Sequence, residues 1–202
     1  MFKRFLFVSL CLITGSANAS GIDIGISDET AKIMYLTHTS SLGLTKRAAN
    51  SDTRERIEGA DVAFGAFFNS NDDYIALMEV MVKSQPTSTA GPIQFGLGFR
   101  GSYGSLGIDD DSSLGNISIG GEVNFRPPLA RKIAITGTVF YSPKILSFAD
   151  SEELLEYSVD VNFELVPSSI LYVGYRNITL DTPSVKGLEI EDNFHVGVRL
   201  TF

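Results

Sequence analysis

The chain has 202 residues but no tryptophan, only two histidines and only one cysteine. That cysteine, Cys11, lies within the first nineteen residues. Leu10 stands before it, where lipidation needs a small residue, so Cys11 does not read as a lipid anchor. Beyond it there is no thiol for a disulfide, a thiolate metal site or a cysteine nucleophile. Two histidines far apart in sequence do not make a zinc site. Positive charge is also scarce, with 16 Lys+Arg against 24 Asp+Glu, a formal charge of −8. A general electrostatic affinity for nucleic acid is therefore excluded. Past residue 19 no apolar run approaches the length of a membrane-spanning helix, and no stretch longer than a turn shows helical periodicity with caps.

The first nineteen residues have their own grammar. Lys3 and Arg4 precede the short apolar run Phe5 to Ile13, and Ala17-Asn18-Ala19 supplies a small-x-small site. This is the pattern of a secretory signal peptide, with cleavage expected between Ala19 and Ser20. The expected organisation is a signal peptide over 1–19 and one barrel domain over 20–202. Loss of Lys3 and Arg4 takes the charge to −10.

What the chain has in abundance is alternation. Eight segments of about ten residues read as strands: 60–69, 74–83, 93–103, 116–125, 132–141, 155–165, 170–180 and 193–202. A strand tilted by about 45° needs roughly that length to cross the hydrocarbon core. All seven prolines fall between these segments or at their ends, where no ladder donor is lost. Residues 21–27 and 31–38 look like two further strands, followed by a polar connection over 39–57. Single-chain bacterial barrels have an even strand number, so both join the wall or neither does. The fold class expected is all-β, a transmembrane antiparallel up-and-down barrel of 8–10 strands, with ten favoured. In the alternative, residues 20–57 form a periplasmic or plugging extension of an eight-stranded barrel.

If the last strand ends on the periplasmic side, 126–131 and 166–169 become short inner turns. The segments 103–115, 142–154 and 181–192 become longer outer loops. The short outer turn at 69–73 and the longer inner one at 84–91 run against this trend.

One parity of each strand is apolar, for example Ile93, Phe95, Leu97 and Phe99. The other is small, polar or charged. In a lipid-embedded barrel the second parity looks inward. Glu79, Glu122, Asp160 and Glu164 are then expected to face Arg100, Arg176 and Arg199 as a lumen charge network. Such a network either fills and locks the barrel or acts as a selectivity ring in a narrow pore. Tyr74, Tyr103, Tyr141, Tyr157 and Tyr175 share the apolar parity near the outer strand ends, as in an aromatic girdle. Phe125, Phe163 and Phe202 mark the opposite rim.

The chain ends in mid-strand on Phe202. A strand that closes a barrel has no freedom to trail off, because lipid cannot satisfy an open edge. Phe194, Val196, Val198, Leu200 and Phe202 resemble the C-terminal signal read by the outer-membrane barrel-assembly machinery. The segments 139–146 ("VFYSPKIL"), 172–180 ("YVGYRNITL") and 195–202 ("HVGVRLTF") resemble the YfaZ family of predicted outer-membrane β-barrel proteins, over roughly residues 57 to 202. The resemblance implies a location and a fold. It brings no established activity and no catalytic residues.

No catalysis and no cofactor are expected. A lipid-modifying hydrolase would need a nucleophile joined to a base, and no spacing joins Ser118, Ser142 or Ser158 to His195. Asp109 to Asp111 lack the spaced ligands and glycine of an EF-hand loop and read as a solvated acidic loop. The function expected is a structural barrel or a narrow passive pore. The alternatives are a soluble periplasmic barrel around an apolar ligand and, more weakly, an outer-membrane lipid-modifying enzyme. The partners expected are outer-membrane lipid, lipopolysaccharide and the assembly machinery, with the barrel itself a monomer.

Overall fold

The computed structural model describes residues 20–39, 60–70, 73–83, 92–105 and 113–202. The signal-peptide region, the connection over 40–57, the triple aspartate and the turn at 84–91 lie outside the described residues.

The strands are β1 (Gly21–Ser27), β2 (Thr30–His38), β3 (Asp61–Asn69), β4 (Tyr74–Lys83), β5 (Ile93–Ser105), β6 (Ser113–Phe125), β7 (Ile133–Ser142), β8 (Ser147–Ala149), β9 (Glu153–Val166), β10 (Ser169–Asp181) and β11 (Leu188–Thr201). Each wall strand pairs antiparallel with its neighbour, β5 pairs with β6, and β1 pairs with β11, so the sheet closes on itself. Ten strands make the wall. The short β8 lies on the upper edge of β6, where Leu114 to Asn116 extend past the reach of β7. Both N-terminal segments join the wall, which settles the strand number at ten rather than eight.

Closure explains the abrupt C-terminus. Gly21 pairs with Thr201, and Ser20 and Phe202 exchange backbone hydrogen bonds of 3.0 and 2.8 Å. The first strand pairs with the last along its whole length, from Gly21 opposite Thr201 to Ser27 opposite His195. Ser20 and Phe202 mark the inner end of the barrel, and the opposite end is the outer one.

Along the wall the apolar parity points outward and is uncovered. Leu97 is 75% exposed, and Phe95, Phe99, Val82, Ile119 and Val159 stand beside it on the same face. An apolar band around a whole barrel far exceeds the patches that soluble monomers tolerate, and it is the surface lipid requires. This overturns the alternative in which the apolar parity encloses a ligand.

The outer end departs from the sequence expectation in two ways. The segments expected as long loops are partly strand: β9 begins at Glu153, β10 runs to Asp181 and β11 starts at Leu188. A 3-10 turn (Lys144–Leu146) and β8 fill much of the segment after β7. The extra rungs lie above the level where lipid dictates the pattern, so polar outward residues there resemble a loop in sequence. The inward parity at this level is also apolar rather than polar. Phe67, Ile75, Leu114, Leu154, Ile178, Leu180 and Ile190 form one buried cluster inside the barrel, with Leu77 and Leu188 packed against it. Fully burying each such side chain contributes about 1.5–3 kcal/mol, so this plug is a core in the ordinary sense.

Candidate functional site

Among the described residues, the lumen is where the wall gathers chemistry-bearing side chains from many strands. A cavity of about 630 Å³ runs from Ser20, Arg126 and Thr201 at the inner rim up to Phe67, Ile75 and Leu154 of the plug. Leu180 and Ile190 are buried and lie outside its lining.

The seven charges expected to form one network sort instead into separate pairs, most with partners that the sequence reading did not single out. Glu79 and Arg100 are direct cross-strand neighbours, so their bond at 2.6 Å follows from hairpin register alone. Arg100 also bonds Glu156, which stands on β9 across the lumen, and its guanidinium lies 4.0 Å from the centroid of the Phe140 ring. Arg176 pairs with Glu191 at 3.1 Å, and Thr30 donates to the other Glu191 oxygen at 2.8 Å. Arg199 pairs with Asp23 at 2.6 Å, and Glu122 pairs with Lys83 at 2.9 Å. Among the described residues Asp160 pairs with no arginine, and it binds His195 at 2.7 Å. Glu164 is not in the lumen: it pairs with Arg126 at the inner rim, where both side chains keep much of their exposure. It has the inward parity but sits near the end of β9, where the barrel gives way to solvent.

Two of these contacts depend on missing side chains. Gly174 lies between Asp160 and His195 in register, and a Cβ there would sit 2.0 Å from the Asp160 carboxylate. Its absence lets strands β9 and β11 meet over β10. Tyr172 likewise lies across Gly197, whose Cβ would come within 2.2 Å of the ring. The ring thereby reaches β1, and its hydroxyl donates to Asp23 at 2.6 Å.

Serine chemistry does not assemble around His195. Ser158 donates to Asp160 at 3.5 Å rather than to the imidazole, and Ser142 donates to the carbonyl of Ile117 at 3.0 Å. Ser118 donates to Asn116 at 3.3 Å. The imidazole Nδ1 is buried and has no hydrogen-bond partner among the described residues. Nothing here positions a nucleophile against a base.

On the outside, Tyr74, Tyr103, Tyr141 and Tyr157 are exposed near the outer ends of their strands. Tyr175 is half-buried against Phe194 and Tyr157, with its hydroxyl on Asp192. Tyr35 is also exposed on the outward face, toward the inner end. Phe125, Phe163 and Phe202 are exposed at the inner rim. Phe194, Val196 and Leu200 are exposed along β11, and Val198 is partly covered.

Beyond the wall, two outer loops are clasped by ions. Glu152 receives Lys144 at 2.5 Å and also Lys186, which reaches Asp181 at 3.4 Å. The two ammonium groups hold the Glu152 carboxyl far below the usual range, at about 2. Glu152, Asp181 and Lys186 each lie within two residues of a plug side chain, Leu154, Leu180 and Leu188 respectively.

A closed ten-stranded wall with an uncovered apolar band and a charged lumen is the architecture of an outer-membrane barrel. The sequence model described as "YfaZ precursor" matches residues 3–202. The chain belongs to the YfaZ family. The match takes in β1 and β2, which the resemblance read from sequence left out. No curated protein matches this YfaZ chain. Among solved structures it is similar to a KdgM porin, with 12% identity, a TM-score of 0.43, and coverage of 91% of this chain and 99% of that one. A KdgM porin in complex with disordered oligogalacturonate gives 14% identity, a TM-score of 0.44 and the same coverage.

Proposed function

We propose that this YfaZ protein is a non-enzymatic barrel of the outer membrane that forms a narrow passive pore, held shut at its outer end by the apolar plug. The observation that carries the reading is the cavity. Polar and charged groups, interspersed with apolar ones such as Val62, Met81 and Ile170, line it from the inner rim upward, and its lining ends at Phe67, Ile75 and Leu154 of the plug. A ring of aliphatic side chains inside a pore excludes water and ions by dewetting until it widens. The inner end faces the periplasm, because bacterial barrels place the closing strand's terminus there. The outward tyrosines act as the upper interface girdle and the terminal Phe202 row as the assembly signal. The barrel needs no second copy to satisfy its edges, and its partners are lipid, lipopolysaccharide and the assembly machinery.

The ion pairs also support a purely structural reading, since Arg100 with Glu79, Glu156 and Phe140 braces the lumen from three sides. Conductance separates the two. The purified barrel is first checked for outer-membrane fractionation and a band shift on boiling. Wild type and Leu154→Ser/Leu180→Ser are then compared in planar bilayers. A pore predicts small, rare openings in wild type and frequent ones in the double variant. A variant that folds, inserts and stays silent leaves only the structural role.

A further inference from the structure

Six lysines and arginines line the lumen cavity; apart from Arg126 at the inner rim, they are Lys32, Lys83, Arg100, Arg176 and Arg199. Four of these five are ion-paired. Lys32 is the exception, since no carboxylate oxygen among the described residues lies within 4.0 Å of its amine.

The register explains why. Lys32 is flanked across the ladder by Gly25 on β1 and Phe67 on β3. Phe67 belongs to the plug and offers no acceptor. An acid at Gly25 would have to displace Tyr172, because a Cβ there would sit 2.7 Å from the Tyr172 hydroxyl. Lys32 therefore stands just below the plug, at the blind end of the cavity, with no acid on either flank.

Arg176, Asp23, Arg100 and Glu156 line the same cavity as Lys32. The two acids are already engaged: Asp23 accepts from Tyr172 and from two Arg199 nitrogens, and Glu156 accepts from Arg100. Arg176 is only 4% exposed, lines the same cavity and bonds Glu191 through a single terminal nitrogen. A guanidinium carries five N–H donors in a planar fork, so it has donors to spare. A partly buried cation without a counter-charge is costly, and two cations sharing one cavity wall raise that cost. An anion seated between them removes it.

We propose that Lys32 and Arg176 form an anion-binding site at the blind end of the lumen, for a small inorganic anion or the carboxylate of a small solute. The site belongs to the cavity and does not require the pore to conduct. The amine supplies a point charge and the guanidinium fork supplies directional donors, the usual division of labour between these side chains.

The test uses the folded full-length barrel in detergent, with ε-13C-labelled lysine. The Lys32 resonance is assigned by its absence in Lys32→Gln. Sodium bromide and sodium formate are titrated separately, with a bulky sulfonate holding ionic strength constant. The thermal midpoint of the heat-modifiable band is followed in parallel. The expected result is a saturable Lys32 shift with either probe and a matching rise in midpoint, because a ligand that binds only the folded state stabilises it. In Lys32→Gln the rise disappears. In sulfonate alone Lys32→Met melts no lower than wild type, since it removes an uncompensated charge. A shift with formate but not bromide assigns the site to carboxylates, and the reverse assigns it to inorganic ions. The proposal is overturned if neither probe gives saturation, if Lys32→Gln responds as wild type does, or if Lys32→Met melts lower in sulfonate.

Discussion

Asp23 holds the seam at which the barrel closes. It is 4% exposed, and it accepts from the Tyr172 hydroxyl at 2.6 Å and from Arg199 at 3.0 and 2.6 Å. Asp23→Asn keeps the shape, removes the charge and leaves Arg199 facing an amide. Removing one member of a buried pair costs about 3–5 kcal/mol. Arg199 keeps 38% of its side chain exposed, so water recovers part of that loss. The expected destabilisation is therefore about 2–3 kcal/mol. Tyr172→Phe removes one hydrogen bond to a charged acceptor and should cost about 1.5–3 kcal/mol. The double variant Asp23→Asn/Arg199→Met should lose less than the sum of its singles, by about 1–2 kcal/mol. Equilibrium urea unfolding in lipid vesicles, read by circular dichroism and by the folded band on unboiled gels, measures all of these. Hydrogen exchange should show β1 and β11 opening first in Asp23→Asn. The reasoning is refuted if that variant stays within about 0.5 kcal/mol of wild type, or if the double variant is additive.

Three further outcomes follow from the same geometry. Leu97→Arg puts a charge on the middle of the lipid face, where Leu97 is 75% exposed. It should cost about 2–4 kcal/mol of folding free energy in vesicles, and a loss below about 1 kcal/mol would place that face outside the hydrocarbon. The Glu152 clasp has a depressed carboxyl, at about 2 in the fold against the ordinary 4.5. Its contribution is therefore complete above about 4.5 and fades as pH falls toward about 2. Spin labels at cysteines placed at 145 and 185 should broaden their distance distribution in that window and not between neutral pH and 5, where the carboxylate stays ionised. Deleting Phe202 removes the residue that exchanges backbone bonds with Ser20. It should lower the fraction of newly exported protein that reaches the heat-modifiable form in cells, and an unchanged fraction would remove Phe202 from the assembly signal.

Much of the lumen was legible from parity. Inward positions for Arg100, Arg176, Arg199 and His195 follow from a two-residue period once the apolar face is assigned to lipid, and Glu79 opposite Arg100 follows from one hairpin. The partners were harder to find. Arg100 and Glu156 sit on strands β5 and β9, which do not pair, so only the curvature of the closed wall brings them together across the lumen. Asp23 was hidden because β1 could be placed in the wall only by an even-number argument. Lys32 shared that uncertain segment, and its lack of a partner depends on what Gly25 and Phe67 fail to offer. The plug was missed because the inward parity was expected to be small, polar or charged along the whole strand, whereas at the outer end it is apolar.

By itself the sequence determined the strand rhythm, the lipid-facing parity, and the absence of a spanning helix and of thiol chemistry past Cys11. These are local properties, set by side-chain alternation and by the backbone's need for hydrogen bonds in lipid. Only the tertiary structure decided the strand number, the identity of each ion pair, the apolar seal at the outer end and the uncompensated Lys32 beneath it. Those depend on which side chains meet across an enclosed space, and the size and stagger of a closed sheet fix that space rather than any one strand.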